Sequence, residues 1–353
     1  MSLSRRLPSV DALRGITVAA MLLVNDPGDW GHVFWPLDHS AWNGCTPTDL
    51  IFPFFLFVVG VSVALAILPR LEQGGDKGAL TRAALWRALR ILGLGVAINL
   101  LAAWLMPEAH VRFPGVLQRI GVCFAGVALF AIYTRPRTQW FTIAGLLLGY
   151  WTLLLLGGSL EPWSNIASRV DSAVFGRFVY LIDPATGRGH DPEGLLSTFP
   201  ALAGTLLGLR LGSWLRQEKL KPLLIAAVLS MALGTLWSIW LPLNKNLWTP
   251  SFVLWCTGWA TLALLTFHVL IDQRGWPAIG RRFGVNAIAA YAGSSLMQVL
   301  LPSFGWQQAI YHHGFQSWIS NPYVCSLAFA IVFVGVWYLI VYAMDRRKIY
   351  LKL

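Results

Sequence analysis

About ten apolar segments, each close to the roughly 20 residues that a helix needs to cross a bilayer, constrain the fold more than any other feature of this chain. Hydrophobic residues make up 56% of its 353 residues and charged residues only 12%, whereas soluble domains carry about 25%. We therefore predict an all-α polytopic membrane protein with about ten transmembrane helices and a single domain over residues 1–353. The predicted spans are 9–26, 49–69, 82–105, 115–133, 139–157, 195–212, 222–241, 250–271, 284–302 and 321–344.

The basic residues are unequally divided between the segments that connect these spans. Nineteen Lys and Arg residues lie in one set of segments or near the span ends beside them, and five lie in the alternate set. The basic set is expected on the cytoplasmic side, together with both termini. The net charge of +11 is then a topological signal, and we expect no nucleic-acid partner. The outer segments are 27–48, 106–114, 158–194, 242–249 and 303–320, and the longest of them, 158–194, is expected to consist of turns.

The first outer segment, within the stretch from Asn25 to Phe57, contains no Lys or Arg but two histidines and several aspartates. His39 occurs in D-H-S-A-W-N-G, ten residues before Asp49. An imidazole is the usual general base near neutral pH, and a neighbouring carboxylate usually orients it. A histidine in a loop is more often inert. The hypothesis that His39 is a catalytic base therefore depends on the acidic residues near it in the sequence. His32, in the same segment, is its competitor.

Polar residues within the spans indicate a polar interior. Asp11 and Arg14 are three residues apart on one helical face, which favours a structural ion pair over a cavity lining. Asn25 either ends the first helix or donates a hydrogen bond to an oxyanion, with equal weight. Asn286 needs a hydrogen-bond partner within its span. Gln118 and Arg119 are further polar residues, in the fourth span. Asn244, Lys245 and Trp248 lie together in an outer segment and resemble a carbohydrate site. The alternative for Trp248 is a place in an interfacial aromatic belt.

Several other classes of site lack support in the sequence. No nucleotide-binding glycine motif, zinc-protease motif or serine-hydrolase motif is present, and the spacing of His and Cys residues supports no metal site. Most cysteines are expected to be small buried side chains. His268 is expected to be a hydrogen-bonded packing residue, whereas His110, His190, His312 and His313 are expected to be solvated.

Several motifs, in order along nearly the whole chain, resemble the heparan-α-glucosaminide N-acetyltransferase family and its bacterial NagX-like relatives. They include R-L-P-S-V-D-A-L-R-G at 6–15, H-S-A-W-N-G-C-T-P-T-D-L-I-F-P-F-F-L-F at 39–57, R-F-P-G-V-L-Q-R-I-G at 112–121, D-P-E-G-L-L-S-T-F-P-A at 191–201, P-L-N-K-N-L-W-T-P-S-F-V-L at 242–254 and F-G-V-N-A at 283–287. This resemblance implies a membrane acyltransferase that moves an acetyl group from cytosolic acetyl-CoA across the membrane to the amine of a glucosamine-type sugar. It also implies that His39, in H-x-x-W-N-G, is catalytic and that Asn25 takes part.

On this reading we expect three groups of site residues. The catalytic residues are His39, Asn25 and Asp49. The residues that contact acetyl-CoA are Arg14, Arg87, Arg90, Arg112, Gln118, Arg119, Asn286, Lys348 and Lys352. The residues that contact the amino-sugar acceptor are Asp26, Trp42, Asn43, Asp191, Glu193, Asn244, Lys245 and Trp248.

Two alternative functions remain open from the sequence. An amino-sugar transporter or permease fits the number of spans, although the halves show no repeat of the kind that transporters often have. The D-x-x-R-G pattern of the first span also resembles the membrane O-acetylases of envelope polysaccharides, which carry a histidine where this chain has Asn25. The expected location is an integral protein of the bacterial inner membrane, in contact with the lipid bilayer, with a homodimer as a possible assembly.

Overall fold

The computed structural model describes residues 7–106 and 109–351. Of these described residues of the chain, 71% are helical. Its helices are α1 (Pro8–Asn25), α2 (Ile51–Ala66), α3 (Leu68–Glu72), α4 (Lys77–Leu105), α5 (Val116–Tyr133), α6 (Pro136–Leu156), α7 (Ile166–Phe175), α8 (Thr198–Arg216), α9 (Leu220–Trp237), α10 (Pro250–Phe267), α11 (Arg281–Val285), α12 (Ala287–Ser303), α13 (Trp306–Tyr311) and α14 (Pro322–Arg346). A two-stranded antiparallel hairpin joins β1 (Leu181–Ile182) to β2 (Gly189–His190).

The prediction of an all-α membrane protein is confirmed, and each predicted span coincides with one long helix. Within the described residues, seven helical segments are long and apolar enough to cross a membrane, and the number is eight if α12 and the segment 306–316, bent by 89°, are counted as one span. The segments in this set contain α2, α4, α5, α6, α9, α10 and α14. By contrast, α8 is largely enclosed by protein, so its sequence need not be apolar on every face.

Helices α2 and α8 pack closely in the centre because glycines lie at their contact. A Cβ atom added to Gly208 would lie 2.1 Å from the carbonyl oxygen of Phe57, and one added to Gly60 would lie 2.0 Å from that of Thr205. Small residues of this kind allow helix backbones in a membrane to approach each other. This packing holds α2 against α8. The catalytic candidate Asp49 directly precedes the N-terminal end of α2.

The two sets of connecting segments lie at opposite ends of the bundle. At one end, loop 26–48 is bonded to loop 242–249 through Gly44 N–H and Leu243 O, 2.7 Å apart, and Phe113 N–H donates to Phe178 O at 3.1 Å. At the other end, His268 lies between Asp272, at 2.8 Å, and Glu218, at 3.2 Å, which confirms it as a hydrogen-bonded packing residue. The first two contacts join connecting segments of the same predicted set.

The longest connecting segment differs from its prediction. It contains the ten-residue helix α7, capped by Asn165, whose side chain accepts the Ser168 N–H at 2.8 Å, as well as the β1–β2 hairpin. Helix α7 is short and amphipathic, so a search for apolar runs does not find it. The prediction that His190 is solvated is wrong, because its side chain is 1% exposed in β2. The segment is folded against the bundle.

Candidate active site

His39 and Asp49 form a hydrogen-bonded pair where α2 begins. A 3-10 turn, Thr48–Leu50, places Asp49 directly before the helix. The His39 Nδ1 atom lies 2.7 Å from Asp49 Oδ1. Since a carboxylate can only accept a hydrogen bond, the shared proton belongs to Nδ1 and the lone pair to Nε2. The pair has the arrangement of a general base oriented by a carboxylate.

The Asp49 carboxylate is held in place by the loop that carries His39. Its Oδ2 atom accepts the Ser40 N–H at 3.1 Å, the Thr46 N–H at 3.0 Å and the Thr46 hydroxyl at 3.2 Å. These donors satisfy a carboxylate that is 0% exposed. The His39 side chain remains 41% exposed. The Asp49 carboxylate is therefore fixed by its hydrogen bonds, whereas the imidazole of His39 is accessible from outside the protein.

His32 also pairs with an aspartate, but at the surface. Its Nδ1 atom lies 2.7 Å from Asp29 Oδ2, and both side chains are more than a third exposed. Its ring packs edge-on against Tyr323 of α14, with the ring centroids 5.3 Å apart. A hydrogen bond to an aspartate therefore does not distinguish His39 from His32. They differ in the burial of the carboxylate and in the loop that each contacts.

Lys245 lies against the imidazole of His39. Its Nζ atom is 3.0 Å from Nε2 and 3.1 Å from Nδ1. The loop that carries it is bonded to the motif loop, since the Asn244 Nδ2 donates to Asn43 Oδ1 at 3.0 Å. Burial lowers the pKa of Lys245, Arg119 adds to this effect, and the charges of Glu193 and Asp49 oppose it. The sequence assigns Lys245 to the acceptor, and the structure places it on the proposed base.

Arg112, Asp191 and Glu193 form an ion-pair network beside this site. Arg112 Nε and Nη2 lie 2.8 and 2.6 Å from the two Asp191 oxygens, and Nη2 also lies 2.5 Å from Glu193 Oε2. Asp191 additionally accepts the Tyr180 and Glu193 N–H groups, both at 2.9 Å. Although burial opposes the charge, the bonds with Asp191 raise the pKa of Arg112. Because Arg112 and Asp191 are engaged with each other, the network does not fit the predicted contacts of Arg112 with acetyl-CoA and of Asp191 with a sugar.

Arg119 and Trp248 form a second buried contact in the same region. The Arg119 guanidinium carbon lies 4.9 Å from the Trp248 ring centroid, and Nη2 donates to Ser197 Oγ at 2.5 Å and Gly194 O at 3.2 Å. Trp248 is 2% exposed. This burial excludes both an interfacial belt and an open stacking face for a sugar. Trp248 instead helps to hold the guanidinium.

Three of the residues predicted to line a path for the donor carry buried polar atoms without a hydrogen-bond partner in the described part of the chain. They are Gln118 at Nε2, Arg119 at Nε and Nη1, and Asn286 at both side-chain atoms. Asn286 is 1% exposed, so water does not readily satisfy it. The partner expected for Asn286 within its span is absent from the residues that the structure describes. Unsatisfied groups of this kind are rare and call for an explanation such as a ligand.

Asn25 and Asp26 end α1 next to α12. The Gln298 Nε2 donates to the Asn25 backbone carbonyl at 2.8 Å, a contact that the sequence did not indicate. Burial raises the pKa of Asp26 to about 8, although a hydrogen bond with Gln298 opposes the shift. Asp26 is therefore largely protonated at neutral pH. No hydrogen bond joins Asn25 to His39 among the residues described.

The basic residues proposed for the nucleotide end of the donor are only partly brought together. The expected pair of Arg14 with Asp11 is present, and Arg14 also donates to Gly284 O at 2.7 Å and Ser62 Oγ at 3.2 Å. Arg87 lies within electrostatic range of Arg14 and Arg90. Lys348 is exposed beyond the end of α14, without a described contact to these arginines. Lys352 lies outside the described residues.

Trp42 connects the H-x-x-W-N-G motif to the long segment between α6 and α8. Its Nε1 donates to Leu160 O at 2.9 Å, and its ring packs edge-on against His190, with centroids 5.2 Å apart. His190 is fixed by Ser168 Oγ, 2.9 Å from Nδ1, and burial lowers the pKa of His190 to about 4. This neutral histidine was missed in the sequence, where only its position directly before Asp191 could have indicated a buried role.

A family model described as "Heparan-alpha-glucosaminide N-acetyltransferase, catalytic" matches residues 6–235, a range that includes His39, Asp49 and the Arg112 network. The chain is similar to the heparan-alpha-glucosaminide N-acetyltransferases of Mus musculus and Homo sapiens, with 28% identity in each case over 415 and 414 residues. These alignments cover 100% of the chain but only 61% and 60% of the two proteins, so the chain spans about six tenths of their length. The family match extends over more than half of the 353 residues, and the chain therefore belongs to the heparan-alpha-glucosaminide N-acetyltransferase family.

Proposed function

We propose that the protein is a membrane acyltransferase that moves an acetyl group from acetyl-CoA to the amine of a glucosamine-type sugar. The observation that carries this proposal is the His39–Asp49 pair, in which a buried, fully bonded carboxylate orients an exposed imidazole. A general base needs this arrangement, in which one ring nitrogen is bonded to a carboxylate and the other can accept a proton. The family membership supports the same reaction class.

His39 acts as the general base in this proposal. Its Nε2 takes a proton from the acceptor amine while the Nδ1–H remains bonded to Asp49. The positive charge that develops on the ring lies next to the Asp49 carboxylate, which stabilises it. Asn25, at the end of α1, is the proposed donor to the oxyanion and would have to approach the His39 site when the substrates are bound.

The buried polar atoms of Gln118, Arg119 and Asn286 support acetyl-CoA as the donor substrate. A pantetheine arm carries amide groups that can satisfy such atoms, and these unpartnered groups lie on α5 and at the start of α12. Arg14, Arg87 and Arg90 supply positive charge for the phosphates. Arg14 is about 9 Å along α1 from its first residue, at 1.5 Å per residue, so its charge lies deeper than the end of the helix.

The acceptor would bind at the outer face, where His39 is exposed. Trp42, Asn43 and Asn244 hold the two loops that flank the imidazole, and Glu193 supplies a carboxylate nearby. Burial works against the charge on Glu193, but Arg112, Arg119 and Lys245 outweigh it and lower the pKa of Glu193. An anionic Glu193 suits an acceptor that arrives as an ammonium. The charge bias of the loops and the likeness to NagX-like proteins support the periplasmic face of a bacterial inner membrane.

The test is an acetyl-transfer assay with the purified protein in detergent, using acetyl-CoA and a series of amino sugars. We expect an acetylated product from the wild type, and a loss of about 10²–10⁴-fold in rate for His39→Ala. His32→Ala is the matched control and is expected to retain nearly all activity. If His39→Ala keeps most of its turnover with every sugar that the wild type accepts, the proposed mechanism is wrong. Uptake of radiolabelled sugar by vesicles without acetyl-CoA, and no product in detergent, would favour a transporter instead.

A further inference from the structure

We infer that Lys245 is a catalytic residue: its ammonium group lies beside His39 Nε2 and donates to the thioester carbonyl oxygen when the acceptor amine is bound. This inference rests on the proposed acetyl transfer. The sequence assigned Lys245 only to the acceptor site, and the family match ends at residue 235, before Lys245.

The first argument is geometric. Nδ1 of His39 gives its proton to Asp49, so it has no lone pair for a second bond. Of the two ring nitrogens, only Nε2 keeps a lone pair, and the nearly equal distances from Lys245 Nζ, 3.1 Å to Nδ1 and 3.0 Å to Nε2, place the ammonium beside the imidazole ring and not along that lone pair. Nε2 is the atom that must take a proton from the acceptor. The ammonium group consequently lies within one hydrogen bond of the reacting atoms.

The second argument is that Lys245 is held in place by its loop. Gly44 N–H donates to Leu243 O at 2.7 Å, and the buried Asn244 bonds both Asn43 Oδ1 at 3.0 Å and the Leu247 N–H at 2.7 Å. Loop 242–249 and the His39 loop therefore form one unit. A preorganised donor of this kind costs little reorganisation when charge develops on the substrate.

The third argument concerns charge. Glu193 and Asp49 favour the ammonium form of Lys245, whereas burial and Arg119 oppose it, and the Cys45 thiol is the remaining ionisable neighbour besides His39. The net effect is a pKa of Lys245 below its ordinary value, so Lys245 loses its proton at lower pH than an exposed lysine. An ammonium donor is stronger than a neutral amide donor, because hydrogen bonds from charged groups are about twice as strong.

In the proposed step, the acceptor ammonium first loses one proton to water. The neutral amine nitrogen then attacks the acetyl carbonyl carbon, and its second proton passes to His39 Nε2. The carbonyl oxygen becomes an oxyanion that accepts from Lys245 Nζ. The carbon–sulfur bond then breaks, and the thiolate that leaves takes the proton from His39. The amide and a free thiol are the products, and both side chains return to their starting protonation states.

The test compares Lys245→Met, which keeps the length of the side chain without its charge, with Lys245→Arg, which keeps a charge that does not titrate. We expect Lys245→Met to lower kcat by about 10²–10³-fold with little change in the KM for acetyl-CoA. Wild-type kcat should fall at alkaline pH, as the ammonium loses its proton below the ordinary lysine value of 10.5. Lys245→Arg should shift this alkaline fall to higher pH. The exposed Lys221→Met is the matched control.

Several results would overturn the inference while leaving the acetyl transfer intact. One is a Lys245→Met protein that keeps the wild-type kcat and shows only a higher KM for the amino sugar, which would make Lys245 a binding residue. Another is an active Lys245→Arg protein whose kcat falls at the same alkaline pH as that of the wild type. If Lys245→Arg is inactive, its pH profile cannot be measured, and the kcat of Lys245→Met alone tests the inference. Acetyl-CoA-dependent thermal stabilisation checks that each variant is folded. Absence of product from the wild type itself would instead refute the proposed function.

Discussion

Replacing Asp49 by asparagine tests whether the structure orients His39 as a base. The two side chains have the same shape, but the substitution turns one carboxylate oxygen into an NH₂ group. Asp49 Oδ2 accepts three donors, from Ser40 N–H and from both the N–H and the hydroxyl of Thr46, and Oδ1 accepts His39 Nδ1–H. The expected effect depends on which of the two positions the NH₂ group takes.

The surrounding donors decide the orientation of the new amide. If the NH₂ group faced Ser40 and Thr46, two buried N–H groups would lose their acceptor, at about 1–3 kcal/mol each. The amide oxygen should therefore stay with these donors, and the NH₂ group should face His39 Nδ1. Nδ1 must then accept, so the ring proton moves to Nε2. The atom that should take a proton from the acceptor now carries one.

We therefore expect Asp49→Asn to fold and to bind acetyl-CoA, but to lose about 10²–10⁴-fold in kcat, the usual contribution of a general base. This loss corresponds to about 3–5 kcal/mol of transition-state free energy. The assay is acetyl transfer to an amino sugar in detergent at fixed pH. Asp38→Asn is the matched control, since within the described residues the Asp38 side chain accepts only the exposed His39 backbone N–H, at 2.8 Å. An Asp49→Asn rate within tenfold of the wild type would refute this account of His39.

Two further predictions follow from the packing and the charge pattern. In a protein without accessible native cysteines, a membrane-impermeant thiol reagent should label Thr186→Cys from outside the cell and should not label Gln217→Cys, and the opposite result would reverse the proposed topology. Arg112→Gln should lower the free energy of unfolding by about 3–5 kcal/mol, because it removes the ion-pair partner of the buried Asp191 and one of the cations beside Glu193. Burial already raises the pKa of Asp191, and without Arg112 this folded-state pKa rises further above the unfolded value, so stability is lost as pH rises through it. Thermal melting should therefore show a larger deficit at pH 8 than at pH 5, and an equal deficit at both would contradict the assignment.

The sequence by itself determined the fold class and the positions of the long helices. Apolar length and composition are local properties, and a bilayer converts them directly into helical spans. The pairing of His39 with Asp49 was also accessible, because ten residues separate them and Asp49 begins the next span. The motif resemblance led to the same residues and to a family that the comparison with known proteins established for this chain.

Only the tertiary structure decided which distant residues meet at the site. Lys245 and His39 are 206 positions apart, and Arg112 and Asp191 are 79 apart, so no local pattern indicates their contact. The structure also assigned Trp248 and His190 to the interior, although residue type and loop position favoured exposed roles. These outcomes depend on how the loops pack over the ends of α2, α5 and α8. Packing of that kind is a property of the assembled bundle, because each loop is positioned by helices that are remote from it in the chain.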